Sequence, residues 1–164
     1  MEEVNVGFKY FVDGLLSGRL LMAGEESAGM SVTNWVTEKD GMLAVFLLLE
    51  IMSATGQDIA GLYKQLTELY GNPVYTRVDM PVTDEVKAKL KGFTEESLSY
   101  LKEVAGEKVL KIRTGDGVKV YLEESWFLVR PSGTEAIVKF YVETFKGEEH
   151  LSKILEEGKK VFGI

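Results

Sequence analysis

The sequence predicts an α/β tail followed by a small α+β domain, and three observations predict it. Up to about Tyr70 the apolar residues recur mostly at helical spacing, with only one or two strand candidates. Gly71-Asn72-Pro73 then breaks the chain. Beyond it, short helical stretches give way to four strand candidates in succession and a closing helix, the pattern of an antiparallel sheet packed with helices. Residues 1–70 and 73–164 are therefore expected to form separate parts.

The elements follow in order. VGFKYFVDGLLSGRL reads as a turn or short strand and then a helix, and LLMAGEESAG as a strand entering an acidic loop. Asp40 can cap the next helix, which Gly56 can end. Its Met42–Ile51 stretch has almost no polar face and calls for cover on several sides, as in a larger α/β domain. Gln57 to Tyr70 forms a second helix. VYTRVDMPV is strand-like, and TDEVKAKLKG and TEESLSYLKEVAG read as short helices with threonine caps. Strands are expected at Lys108–Thr114, Val118–Glu123, Ser125–Arg130 and Ala136–Thr144, with Gly115-Asp116-Gly117 turning the first hairpin. HLSKILEEGKKVF closes the chain as a helix with Leu151, Ile154, Leu155 and Phe162 on its apolar face.

Composition narrows the function classes. The 164 residues are 45% hydrophobic, enough for a core. A net charge of −7 without a basic cluster argues against nucleic acid. The absence of cysteine excludes disulfides and thiolate metal sites. The longest apolar run, Met42 to Leu49, is too short for a bilayer. MEEVNVGFKY lacks the layout of a signal peptide, so a soluble cytoplasmic protein without a membrane partner is expected.

Two loops carry chemistry. Arg130-Pro131-Ser132-Gly133-Thr134 offers a guanidinium, two hydroxyls and successive backbone N–H groups. Such N–H groups make an anion nest, glycine allows close approach and positive φ, and arginine presents a planar fork to phosphate. An ordinary hairpin loop uses the same residue types. Gly24-Glu25-Glu26-Ser27-Ala28-Gly29 sets two carboxylates and a hydroxyl between glycines, which suits sugar hydroxyls, although a solvated acidic loop has this composition as well. A metal site there lacks further ligands at a diagnostic spacing. A phosphosugar satisfies both loops.

In this order the motifs VGFKYF, GEESAG, TEKDG before an apolar helix, and RPSGTE resemble the C-terminal part of an α-D-phosphohexomutase, the phosphoglucomutase/phosphomannomutase family, over nearly the whole chain. The resemblance implies that residues 1–70 are the C-terminal part of the sugar-binding third domain and 73–164 the phosphate-binding fourth. It implies that Arg130, Ser132, Gly133 and Thr134 hold the substrate phosphate that is not reacting, that Glu25 and Ser27 bind ring hydroxyls, and that Lys9 lies near the substrate. The family reaction interconverts hexose 1- and 6-phosphates through a phosphoserine and a bisphosphorylated sugar, with Mg2+ stabilising the transferring group. The phosphoserine and metal loops belong to the family's first two domains and are not found here. The chain is accordingly expected to bind substrate without catalysing alone, with no catalytic or metal residue of its own and no bound cofactor. Mg2+ and glucose 1,6-bisphosphate would serve the parent enzyme, and the missing N-terminal domains would be its partners.

The pattern also departs from the family's. Ala136 stands where relatives commonly have proline and Lys139 where they have arginine, which keeps a charge but loses the fork. Gly29 stands where mannose-tolerant relatives often have histidine, and the loop reads GEES rather than the glutamine form of glucosamine mutases, so glucose is favoured over mannose. The competing reading is a non-enzymatic phosphosugar-binding or protein-interaction module. His150, the one histidine, reads as a solvated surface residue, while Trp35, Trp126 and the methionines at 22, 30, 42 and 52 read as packing.

Overall fold

The computed structural model describes every residue of the chain except Glu26. The chain forms two compact units, Met1–Leu69 and Tyr70–Ile164.

In the first unit a 3-10 turn at Phe8–Phe11 runs into the short helix α1 (Val12–Leu16). Strands β1 (Met22–Gly24) and β2 (Met30–Val32) form an antiparallel hairpin with Gly24 opposite Met30. Phe8, Leu15 and Ala23 make a small buried cluster with Phe11 and Leu20 against it, so the 3-10 turn packs on β1. Helices α2 (Gly41–Thr55) and α3 (Ile59–Tyr70) follow. The Asp40 carboxylate accepts the N–H groups of Met42 and Leu43, which starts α2. Gly56 ends it in the left-handed region at φ 69°, donating to the Met52 carbonyl. No residue of α2 is buried, and Met42, Val45, Phe46 and Leu49 are all exposed. Met22 is exposed too, so the packing expected of Met22 and Met42 is not made within this unit. No single helix among the described residues is long and apolar enough to cross a membrane.

The second unit is a five-stranded antiparallel sheet: β3 (Val74–Pro81), β6 (Lys111–Thr114), β7 (Val118–Tyr121), β8 (Ser125–Pro131) and β9 (Ile137–Thr144), in the order β3-β9-β8-β7-β6. Alternation divides its faces. Phe127, Val129, Val138, Phe140 and Val142 are fully buried on one face, where Leu151, Ile154 and Phe162 of α5 (Glu148–Phe162) join the same core. Phe127 and Phe140 stack at 5.6 Å, and Gly158 lets α5 lie on them, since a Cβ there would fall 2.5 Å from Phe140 Cζ. Trp126, Leu128 and Arg130 take the opposite face of β8.

One expected helix is absent. Helix α4 (Asp84–Lys91) forms behind its Thr83 cap, but 94–106 does not continue as a helix. Thr94 and Ser97 exchange side-chain hydrogen bonds around a turn that drops Leu98 and Leu101 into the core. The chain then makes a two-residue hairpin between β4 (Glu103–Val104) and β5 (Glu107–Lys108). Ala105 (φ 52°) and Gly106 (φ 79°) are both left-handed, the geometry a tight hairpin turn requires. Leu98, Leu101 and Val104 are buried at every third position, a spacing that a helix reading cannot distinguish from successive turns.

His150 is also not the solvated residue expected. Its Nε2 meets Oε1 of the fully buried Glu107. The Ser125 hydroxyl donates to the same carboxylate oxygen and approaches Thr144 Oγ1 at 2.7 Å, while the Glu124 N–H donates to Glu107 Oε2 at 2.7 Å. Burial pushes the Glu107 carboxyl upward, but hydrogen bonds from Ser125, Glu124 and His150 and the charge of Lys146 outweigh it and hold the group below its ordinary value.

A carboxyl lowered in the folded state contributes stability above its unfolded pKa and loses it as pH falls through the folded value. Glu107→Gln should therefore flatten the acid limb of the stability profile below about pH 4.5, read from the β8 and β9 amide signals in urea; an unchanged limb would place the acid sensitivity elsewhere. Gly158→Ala should lower the stability of the same strands by about 1–3 kcal/mol through overpacking, although alanine is the better helix former.

Candidate functional site

The β8–β9 connection, Ser132 to Ala136, lies at one end of the five-stranded sheet. Ser132 is buried and organises it. Its N–H donates to the Ile137 carbonyl at 2.9 Å, and its Oγ accepts the N–H groups of Glu135 at 3.2 Å and Thr134 at 3.4 Å. Two loop amides thus converge on one hydroxyl, and Gly133 to Ala136 stay exposed. Gly133 does not use the positive φ that its presence suggested. A Cβ there would meet nothing within 4 Å, so the protein's own packing leaves this position open.

Arg130 stands on the outer sheet face, half-buried, directly opposite Lys139 on β9. Like charges placed opposite one another destabilise a strand pair unless an anion lies between them. Lys139 has Asp79 on its other side, opposite it on β3. Arg77 engages Asp79 through two hydrogen bonds of 2.7 Å, which with the nearby Lys139 charge hold that carboxyl low. On the β7 side the neighbour is Gly117, whose Cβ would sit 2.5 Å from the Val129 carbonyl and 3.1 Å from Arg130 Cα. The Gly115-Asp116-Gly117 turn therefore puts bare backbone beside the arginine.

Two further contacts close this end of the sheet. The Val82 N–H donates to the Ala136 carbonyl at 3.0 Å, and Lys87 Nζ from α4 donates to the Glu135 carbonyl at 2.9 Å. Lys87 was not a candidate from sequence. It lies 48 residues from Glu135, and only the register of β3 against β9 brings α4 to the loop.

The acidic loop joins β1 to β2 in the first unit. The Glu25 N–H donates to the Gly29 carbonyl at 2.8 Å, and the Ala28 N–H returns to the Glu25 carbonyl at 3.0 Å, with Ala28 at φ 66°. Glu25 Oε2 pairs with Lys39 Nζ at 2.9 Å. A Cβ at Gly29 would fall 2.5 Å from Lys39 Cδ, so the glycine lets the lysine lie across the loop. Lys39 is a second residue that sequence reasoning missed, and its place beside the cap Asp40 in TEKDG was the available signal. The Asp40 N–H donates to the Met30 carbonyl at 2.9 Å, and its carboxyl, held low first by Trp35 and then by the Leu43 N–H, fastens the hairpin to α2. Trp35 is exposed rather than packed, with its Nε1 on Asp40 at 2.9 Å.

Ser27 is exposed at the loop tip, and Glu26 lies outside the described residues. Lys9 is exposed, with its ammonium 5.1 Å from the Tyr10 ring centroid. Phe8 ties the turn that carries Lys9 to the same small core as Ala23 on β1. The two loops belong to different units.

A cavity of about 320 Å³ in the second unit is lined by residues including Tyr70, Trp126, Glu143 and Phe145, at the sheet end away from Ser132. Trp126 donates to Glu143 at 3.0 Å and carries Lys119 Nζ 4.1 Å from its ring centroid, so it too is half-buried rather than core. Among the described residues no group of three or more His, Asp or Glu is placed to hold a metal ion.

Residues 1–70 match the family model described as phosphoglucomutase/phosphomannomutase, alpha/beta/alpha domain III, and residues 78–160 match that of the phosphoglucomutase/phosphomannomutase C-terminal domain. The chain is 41% identical to a phosphoglucomutase of Komagataeibacter xylinus, over 96% of its own length and 30% of the relative's. It is 34% identical to a phosphoglucosamine mutase of Methanosarcina acetivorans, over 95% of its own length and 32% of the relative's. A crystal structure reported as a Thermus thermophilus phosphomannomutase superimposes with a TM-score of 0.71 at 32% identity, covering 97% of this chain and 30% of that one. The chain thus spans about 30% of the length of these relatives.

Gly29→Ala should push the Lys39 stem aside and break its ion pair with Glu25, shifting the Glu25 and Lys39 side-chain NMR signals while leaving β8 and β9 untouched. Unmoved Lys39 signals would mean that the lysine does not cross the loop.

Proposed function

The chain belongs to the phosphoglucomutase/phosphomannomutase family, and on that premise we propose that it supplies the substrate-gripping loops of a phosphohexomutase. The observation that carries the reading is the conjunction at the β8–β9 loop: two amides converging on the buried Ser132 hydroxyl, open space over Gly133, and Arg130 opposite Lys139 with bare glycine backbone alongside. A phosphate dianion would relieve the facing cations and accept from the guanidinium in bidentate fashion.

In this proposal Arg130, Ser132, Gly133 and Thr134 hold the phosphate that is not reacting. Lys139 adds a point charge in place of a second guanidinium. Glu25 and Ser27 read ring hydroxyls, with Lys39 fixing the Glu25 carboxylate and Lys9 on the adjoining turn. Residues 1–70 act as the sugar-reading part of a third domain and 73–164 as the phosphate-binding fourth. The phosphoserine, the Mg2+ ion and the remaining domains come from sequence outside these residues, and the uncovered faces of α2 pack against them. The parent activity is intramolecular phosphoryl transfer between the 1- and 6-positions of a hexose through glucose 1,6-bisphosphate or its analogue. Glucose is the hexose we favour, because Gly29 leaves a small side at the loop where Lys39 lies.

Titration of the 164-residue chain with glucose 1-phosphate should shift the Ser132–Thr134 amides, and inorganic phosphate should do the same. Glu25 and Ser27 should respond to the sugar alone. Arg130→Ala should weaken phosphate binding about tenfold or more, as expected on losing a charged bidentate hydrogen bond. An unchanged dissociation constant in that variant would remove the clamp assignment.

A further inference from the structure

We infer that Lys87 is a positioning residue of the phosphate loop and adds a further positive charge to it, an inference that rests on the phosphate-binding reading above. Its Nζ donates to the Glu135 carbonyl at 2.9 Å, across 48 residues of sequence, and thereby ties the exposed part of the loop to α4. The rest of the loop is held from within: Ser132 binds the strand end and gathers the Thr134 and Glu135 amides. Glu135 is thus gripped on both sides of its residue, by its N–H on Ser132 and by its carbonyl on Lys87.

The choice of a lysine is informative. A neutral donor would also satisfy the Glu135 carbonyl, whereas an ammonium brings a full charge to the loop that is proposed to hold phosphate. Placing a charge on that carbonyl also orients the peptide dipole between Glu135 and Ala136. Val82, donating to the Ala136 carbonyl from the start of the same connection, fixes the following peptide. Lys87 is half-buried as a residue, but its contact with the Glu135 carbonyl is exposed, so its charge is open to screening by salt. Lys87 joins Arg130 and Lys139, which approach the loop from β8 and β9, as the cation contributed from the helical side.

The test is titration of the full 164-residue chain with inorganic phosphate at several ionic strengths, comparing wild type with Lys87→Met, Lys87→Gln and Lys87→Arg. The methionine and glutamine variants should bind about fivefold more weakly at low salt, the size of one unit charge a few ångströms away. Their affinity should also fall less steeply with salt, and Lys87→Arg should restore both properties. The glutamine variant keeps a polar side chain and remains informative if methionine perturbs folding. Weaker binding with an unchanged salt dependence would reduce Lys87 to a structural tether and overturn the charge role. Binding within about twofold of wild type would overturn the inference entirely while leaving the clamp intact. Wild-type protein whose Ser132–Thr134 amides ignore phosphate would instead remove the phosphate reading, and the Lys87 inference with it.

Discussion

The pairing of β8 with β9, from Ser125 opposite Thr144 to Pro131 opposite Val138, decides which side chains at the centre of the second unit's sheet share a face. A slip of β8 by one residue would turn Phe127 and Val129 to solvent and bring Arg130 into the core. The stacked phenylalanines under Gly158 of α5 lock that register. Both ends of the pairing are then spoken for. One end carries the Ser132 loop, and the other brings Ser125 and Thr144 to the buried Glu107. The same hydrogen-bond ladder thus aims the cations and anchors the sheet to the start of α5.

Much of this was legible in the sequence because its signals were local. Asp40 and Gly56 bracket a helix wherever the chain goes, and alternation along Ser125–Arg130 separates a core face from an outer face without reference to partners. The candidate loops were legible for the same reason, since glycines, hydroxyls and charges lay within six residues. What was not legible depended on distant partners. His150 looks like any exposed helix-start histidine until Glu107, 43 residues earlier, is placed under it. Lys87 and Lys39 are ordinary surface lysines until strand register and a glycine bring each to a loop. The stretch 94–106 failed for a different reason: apolar residues three apart fit a helix and a chain of turns equally, and the left-handed Ala105-Gly106 hairpin settles it.

The two candidate loops differ in how they are built. The β8–β9 loop, the proposed phosphate site, is held by backbone and hydroxyl groups, with Arg130 and Lys139 on the flanking strands. The acidic loop is held by the Glu25–Gly29 and Ala28–Glu25 backbone hydrogen bonds and by the Glu25–Lys39 ion pair, which crosses Gly29, and Ser27 stays exposed.

The bare surface of α2 has a thermodynamic consequence. The second unit encloses its own phenylalanine core, whereas the first buries little beyond Phe8, Leu15 and Ala23 and leaves Met42, Val45, Phe46 and Leu49 of α2 exposed. Two units of such unequal cohesion should lose structure at different points, so a single two-state free energy is not expected of the whole chain. The two tryptophans fall one to each unit, Trp35 beside the Asp40 cap and Trp126 on the sheet, so each unit carries its own fluorescent reporter.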